Sequence, residues 1–375
     1  MHENALYNAV KTPKLLVLLS LTLSLLMACT QKQSTSKNVF SYNEATGIAT
    51  LDPAFAKNQS IMWAVHQIYN TLVEIDSNLN IVPSLAKSWE VSDDRKTYRF
   101  HLRTNVYFTN DEAFKGGAGR KLVAADVAYS LGRIIDKTVA SSGAWIFNNR
   151  VDSVTPFVVI NDSTFELRLQ RPFHPIMGIL STQYCSVVPK EVVEKYGKDF
   201  RKHPCGTGPF VLKSWDEGEA MILHKNKNYW EVDSAGDRLP YIDAVKINFF
   251  DNKATEFLQF RQGKLSFVND IDASFKDEIL TKNGTLRKDW EGKINLLTHP
   301  YLNTEYFGIV VDANNPITKG AATSNKLVRQ AMNYAINKKQ LMMYMRNSIG
   351  IPAEAGFVPA GLPSKNVDFV QDYNS

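Results

Sequence analysis

A twelve-residue apolar run, LLVLLSLTLSLL at residues 15–26, stops three residues short of a cysteine, and the chain is polar or mixed from there on. A helix that crosses a bilayer needs about 20 apolar residues, so this run is too short to span. Lys11 and Lys14 precede it and small residues follow, which is the layout of an export signal. No later stretch is apolar for about 18 residues, so no later helix is expected to span a membrane. Taking residues 1–28 from the 375-residue chain leaves 347, too many for one ordinary core, and two lobes or more are expected. The first of these residues, CTQKQSTSK at 29–37, have little to bury and read as a flexible tether.

Leu26-Met27-Ala28-Cys29 resembles the lipobox of bacterial lipoproteins. That resemblance implies that residues 1–28 are removed and that the Cys29 thiol carries a diacylglyceryl group. Each buried CH2 contributes about 0.8 kcal/mol, so several acyl chains together anchor stably. The mature protein is then expected to be exported and lipid-anchored to the membrane, facing the periplasm or the cell exterior.

Charged residues make up 22% of the chain and the net charge of +5 is spread thinly, which gives no support to nucleic-acid binding. Past Cys29 two cysteines remain, Cys185 and Cys205, which in an exported protein either pair or stay as two buried thiols. KGGAGRK at 115–121 lacks the Gly-Lys-Ser/Thr ending that places a lysine on phosphates, and reads as a surface loop. Gly206-Thr207-Gly208-Pro209 begins like a dinucleotide fingerprint, but no third glycine follows and Pro209 stops a helix. The seven histidines have no metal-ligand spacing, and no metal or cofactor is expected. Ser84-Leu85-Ala86-Lys87 matches the S-x-x-K of penicillin-recognising enzymes, yet their S-D-N and K-T-G partners are absent from the sequence. An exported serine hydrolase or transpeptidase using Ser84 and Lys87 is therefore only the alternative reading.

Periodicity predicts a mixed α/β chain, β-rich first and more helical later. A strand is expected over 38–43, then an irregular loop ATLDPAFAKNQS, then a helix over 61–72 capped by Ser60. Alternation of Tyr98, Phe100 and Leu102 predicts a half-buried strand, and Val123, Val127, Leu131 and Ile134 or Ile135 form the stripe of a helix. Residues 154–169 read as a hairpin turning at Asn161-Asp162, and 208–226 as a second turning at 216–218. Strands and helices then alternate through AVKINFF, KATEFLQFRQG and KINLLTHPYLNTEYFGIVV to one long helix over about 325–345.

Taken in order, these stretches carry a resemblance. IYNTLVEIDSNLNIVPSLAKSWEVSDDRKTYRFHLRTNVYF is followed by AADVAYSLGRI, SVVPKEVVEKYGKDF, GTGPFVLKSWDEGEAMILHKNKNYW and VRQAMNYAINKKQL. Their order and spacing are similar to those of the extracellular solute-binding proteins of the peptide/nickel class, family 5, which feed ABC importers. The likeness runs from Tyr42 to about Leu362 and implies a two-lobed α/β fold of the type II periplasmic-binding-protein kind. Lobe 1 would take residues 38–71 and 179–265, an accessory β-rich subdomain 72–178, and lobe 2 residues 266–375. The implied function is capture of a short peptide or similar solute by hinge closure, without catalysis, as a monomer. Delivery would be to a permease served by separate ATPase subunits.

Two departures accompany the resemblance. Ser266 stands where the family usually has an acidic residue, and family chains continue well past the point matching Ser375. The segment whose aspartate grips a peptide's amino group lies in that later part. Lobe 2 is thus expected to be incomplete, through truncation or as a non-binding remnant. Loops facing the inter-lobe cleft carry the implied ligand contacts. The candidates are Lys57, Asn58, Gln59, Ser60 and Trp63, the backbone of Gly206, Thr207 and Gly208, and Asn303, Thr304 and Tyr306. Plainer roles stand beside these, with Ser60 and Gln59 as helix caps, the glycines as a turn and Tyr306 as core.

Overall fold

The structure, a computed structural model, describes residues 38–362 except 270, 273, 300, 313, 355, 360 and 361. The leader, the tether and Cys29 lie outside the described residues. The chain divides into two compact units, Met1–Phe267 and Val268–Ser375.

The first unit opens with β1 (Val39–Asn43) and, after a 3-10 turn at Pro53–Phe55, helix α1 (Gln59–Ile68). A short hairpin, β2 (Val73–Ile75) and β3 (Ile81–Pro83), leads to β4 (Ala86–Val91) and β5 (Thr97–Leu102). Helix α2 (Ala124–Ile135) precedes β6 (Phe157–Asn161) and β7 (Thr164–Arg168). Short helices α3 (Ile176–Leu180) and α4 (Lys190–Tyr196) follow, then β8 (Phe210–Asp216), β9 (Ala220–Lys225), β10 (Ala244–Asn248) and α5 (Lys253–Arg261).

Two four-stranded sheets result. One has the order β1-β10-β9-β8, with β1 parallel to β10 and the rest antiparallel; the other is fully antiparallel, β4-β5-β7-β6. Tyr98, Phe100 and Leu102 are buried on one face of β5, as their alternation predicts. Helix α2 covers this sheet at β6 and β7 through Val127, Leu131 and Ile134, while Ile135 faces outward. Helix α1 packs on β8, and one continuous core joins both sheets, from Tyr42 to Ile247.

Several boundaries differ from the sequence reading. The cap of α1 is Asn58, whose Oδ1 accepts the Ile61 N–H at 3.1 Å, so Ser60 lies inside the helix. The helix ends at Ile68 because Tyr69 is extended. The β6–β7 hairpin turns one residue later than expected, through Asp162 and Ser163, with Asn161 Oδ1 accepting the Ser163 N–H.

In the second unit, α6 (Lys276–Ile279) is followed by two helices, α7 (Lys326–Tyr334) and α8 (Lys338–Arg346), in place of the single long one. Asn337 interrupts it: the residue is extended and its side chain caps α8 by accepting the Gln340 N–H at 3.0 Å. Residues 295–299 and 301–312 form no strand, and they pair with none of the described strands. Ile279 and Leu280 are the buried apolar side chains among the described residues of this unit, and α7 and α8 bury none.

Candidate functional site

The segment that leads into α1 has little regular structure and is located by polar ties. Leu51 N–H donates to the Arg201 carbonyl at 2.9 Å, and Asp52 closes the 3-10 turn by accepting the Ala54 N–H at 3.1 Å. Arg133 of α2 donates from Nη1 and Nη2 to the two Asp52 oxygens at 3.0 and 2.7 Å. Both side chains are buried, 10% and 8% exposed. Ser141 adds a hydroxyl donation to the Ala54 carbonyl. From this anchored base the chain emerges at Lys57, Asn58 and Gln59, all exposed.

What these residues offer differs. Lys57 presents a cation and Gln59 an amide to solvent. Asn58 Oδ1 is engaged by the helix cap and by the Ser60 hydroxyl at 3.0 Å, and Ser60 itself is buried. One turn on, half-buried Trp63 meets Tyr42 edge-on at 6.1 Å and Phe267 at 6.5 Å. Phe40 completes the group, 6.1 Å from Phe267 and 37% exposed. Burial pushes the Tyr42 hydroxyl well above the ordinary tyrosine range, with Glu44 adding to it. The start of α1 thus sets a cation and an amide beside an aromatic edge, groups able to meet a carboxylate, a peptide bond and an apolar side chain.

Residues 206–208 are interior. A side chain at Gly206 would place Cβ 2.1 Å from the Ile68 carbonyl oxygen, and one at Gly208 would lie 2.5 Å from the Ile68 carbonyl carbon. Gly208 N–H donates to that same carbonyl at 2.9 Å. Thr207, 1% exposed, donates to Asn70 Oδ1 at 3.0 Å, which also accepts from Trp230 Nε1 at 3.3 Å. The stretch therefore joins the end of α1 to the start of β8, with the glycines allowing the approach.

In the second unit Thr304 donates to the Phe357 carbonyl at 2.7 Å, and Tyr306 packs edge-on against Phe357 at 5.1 Å while staying 69% exposed. Asn303 is exposed, its N–H bonded to Tyr301.

Cys185 and Cys205 are free and buried in the structure. Burial pushes both thiols up to about 12. Ser84 Oγ donates to Glu74 at 2.8 Å and Lys87 stands exposed on β4, an arrangement unlike an activated Ser–Lys pair.

Two open hollows of about 380 and 330 Å³ share His66 and Glu74 near the far end of α1. Tyr229, Glu231, Leu239 and Tyr241 line the larger, and Ser181 and Gln183 the smaller. No sequence signal marked them, because their walls come from five separated stretches.

The fold is that of the periplasmic binding proteins: the chain superposes on the peptide-bound DppA of Helicobacter pylori with TM-score 0.69 at 23% identity, covering 89% of this chain and 63% of that one. HbpA2 of Haemophilus parasuis superposes with TM-score 0.65 at 25% identity, covering 81% and 58%. The model of the bacterial extracellular solute-binding proteins, family 5 (Middle), matches residues 80–375, and the chain belongs to that family. Among curated relatives, heme-binding protein A of Haemophilus influenzae is 28% identical over 92% of this chain and 61% of its own length. A glutathione-binding protein of Salmonella choleraesuis is 26% identical over 84% and 55%. The chain thus spans less than two thirds of the relatives it matches.

Proposed function

We propose that this chain is the solute-binding receptor of an ABC importer, taking a short peptide between two lobes and passing it to the permease. The observation that carries this is the start of α1, where Lys57, Gln59 and Trp63 stand on a base tied down through Asp52 and Arg133. Relatives named for glutathione and heme, and a neighbour holding the peptide STSA, support an organic solute bearing carboxylates. Family members are binding receptors rather than enzymes. Lobe 1 is assigned residues 38–71 and 179–265, with 72–178 as an accessory region, and the division of the chain at Phe267 supports a second lobe from about residue 266. The glycines at 206 and 208 serve the frame of that site, and Asn303, Thr304 and Tyr306 are assigned to the lobe-2 wall. No helix among the described residues is long and apolar enough to cross a membrane. Attachment is assigned to acyl chains on Cys29, and Cys29→Ser is expected to move the protein from the membrane to the soluble fraction. A protein that stays membrane-bound and never takes up labelled fatty acid would refute the anchor.

Thermal-shift titration tests the solute. A ligand at 100 times its dissociation constant adds about 2.7 kcal/mol of stability, a readable rise in melting temperature. Pools of di-, tri- and tetrapeptides are expected to give that rise. A response to haemin alone overturns the peptide assignment, and no response to peptides, glutathione or haemin overturns the receptor reading.

A further inference from the structure

We propose that Asp52 and Arg133 are a positioning pair, through which the helix-and-sheet region carrying Arg133 sets the placement of Lys57, Asn58 and Gln59 toward solute. The proposal rests on the solute-binding reading above. Leu51 to Asn58 contains one three-residue 3-10 turn and no strand pairing, and beyond the backbone bond of Leu51 to Arg201 its long-range ties run through side chains. Asp52 is where they converge. Its Oδ1 accepts both the Ala54 N–H and Arg133 Nη1, its Oδ2 accepts Arg133 Nη2, and its own N–H donates to Thr50 Oγ1 at 3.0 Å. A planar guanidinium on both oxygens fixes the carboxylate plane, and with it the turn, in a way a lysine point charge does not.

Stability alone gives little reason for the pair. Desolvating two charges offsets most of their attraction, and apolar residues of equal volume commonly serve as well. A geometric role accounts for its burial. The 3-10 turn held by Asp52 feeds directly into Ala56, which is fully buried, and then into the exposed Lys57 and the capping Asn58. The second tie, Ser141 Oγ to the Ala54 carbonyl, comes from the same direction, just beyond α2. Both holds on the segment's centre therefore originate between residues 133 and 141, outside the sheet that carries α1. Phe200 lies under the guanidinium, 5.5 Å from ring centre to Cζ, and limits its swing.

Two variants of the full chain test this. Asp52→Asn/Arg133→Met removes both charges, leaves none buried and keeps an oxygen for the Ala54 N–H; Arg133→Lys keeps the charge and loses the fork. Each is compared with wild type by melting, by backbone hydrogen exchange and by apparent affinity for the tripeptide pool. Both are expected to melt within a few degrees of wild type, with exchange rising about tenfold in residues 53–61 and unchanged in β4, β5 and β7. Apparent affinity is expected to fall about tenfold in both. Exchange that stays at wild-type rates in 53–61, or rises evenly over the chain, overturns the proposal, as does full affinity in Arg133→Lys. A wild type that ignores the di-, tri- and tetrapeptide pools, glutathione and haemin defeats the solute reading instead, and the exchange pattern then decides the pair by itself.

Discussion

At Gly206 the backbone of one segment touches the backbone of another, with the Ile68 carbonyl occupying the place a Cβ would take. Gly206→Ala must push the end of α1 away or open the Thr207–Asn70 bond, an overpacking change of roughly 1–3 kcal/mol. A melting temperature within a degree of wild type would contradict that. Read as sequence, Gly-Thr-Gly signals only that backbone comes close to something; what it approaches is Ile68, and the chain spacing hides that. The Lys-Asn-Gln-Ser stretch is similarly half legible. Asn and Ser are both good helix caps, and the choice of Asn58 depends on where the anchored turn at Asp52 releases the chain. Arg133 gave no sign of its role, since its partner lies 81 residues away.

Among elements, local pattern predicted what local pattern controls. Both hairpins, the β5 alternation and the α2 stripe are set by neighbours within a few residues. The parallel pairing of β1 with β10 joins Val39 to Ala244, a closure no periodicity reports. The long helix expected over 325–345 failed at Asn337, which follows the apolar Ile336 and reads as an ordinary polar position until its backbone turns extended. The second sheet also carries a pH signature. Glu166 on β7 has a side chain 4% exposed, and burial raises its pKa, but hydrogen bonds from Arg99 and Arg168 outweigh this and hold it below the usual value. A carboxylate with a depressed folded pKa stabilises above its unfolded value, near 4.5, and loses that contribution as pH falls through the folded value. The melting temperature is expected to be flat from pH 7 to about 5 and to fall below that. Glu166→Gln should melt lower at neutral pH and show a shallower acid slope. Parallel curves for the two proteins would rule out Glu166 as a source of that slope.

Over the whole molecule, the two units differ in kind. The first holds the continuous core from Tyr42 to Ile247, while α7 and α8 of the second bury no side chain. The family and its α/β fold were readable because stretches such as GTGPF and VRQAMNYAI resemble those of the family in order and spacing. The anchoring of the candidate loop before α1 was not, because Asp52 is held by Arg133, 81 residues away. The central claim is that this chain takes up a small organic solute at the start of α1. Native mass spectrometry tests it most directly, using the full chain mixed with an equimolar library of di-, tri- and tetrapeptides, glutathione and haemin. The account predicts one-to-one complexes with a restricted set of peptides, and their loss in a Lys57→Ala/Gln59→Ala variant, both positions being exposed, that melts like wild type. No complex with any component, or the same complexes in the variant, would contradict it.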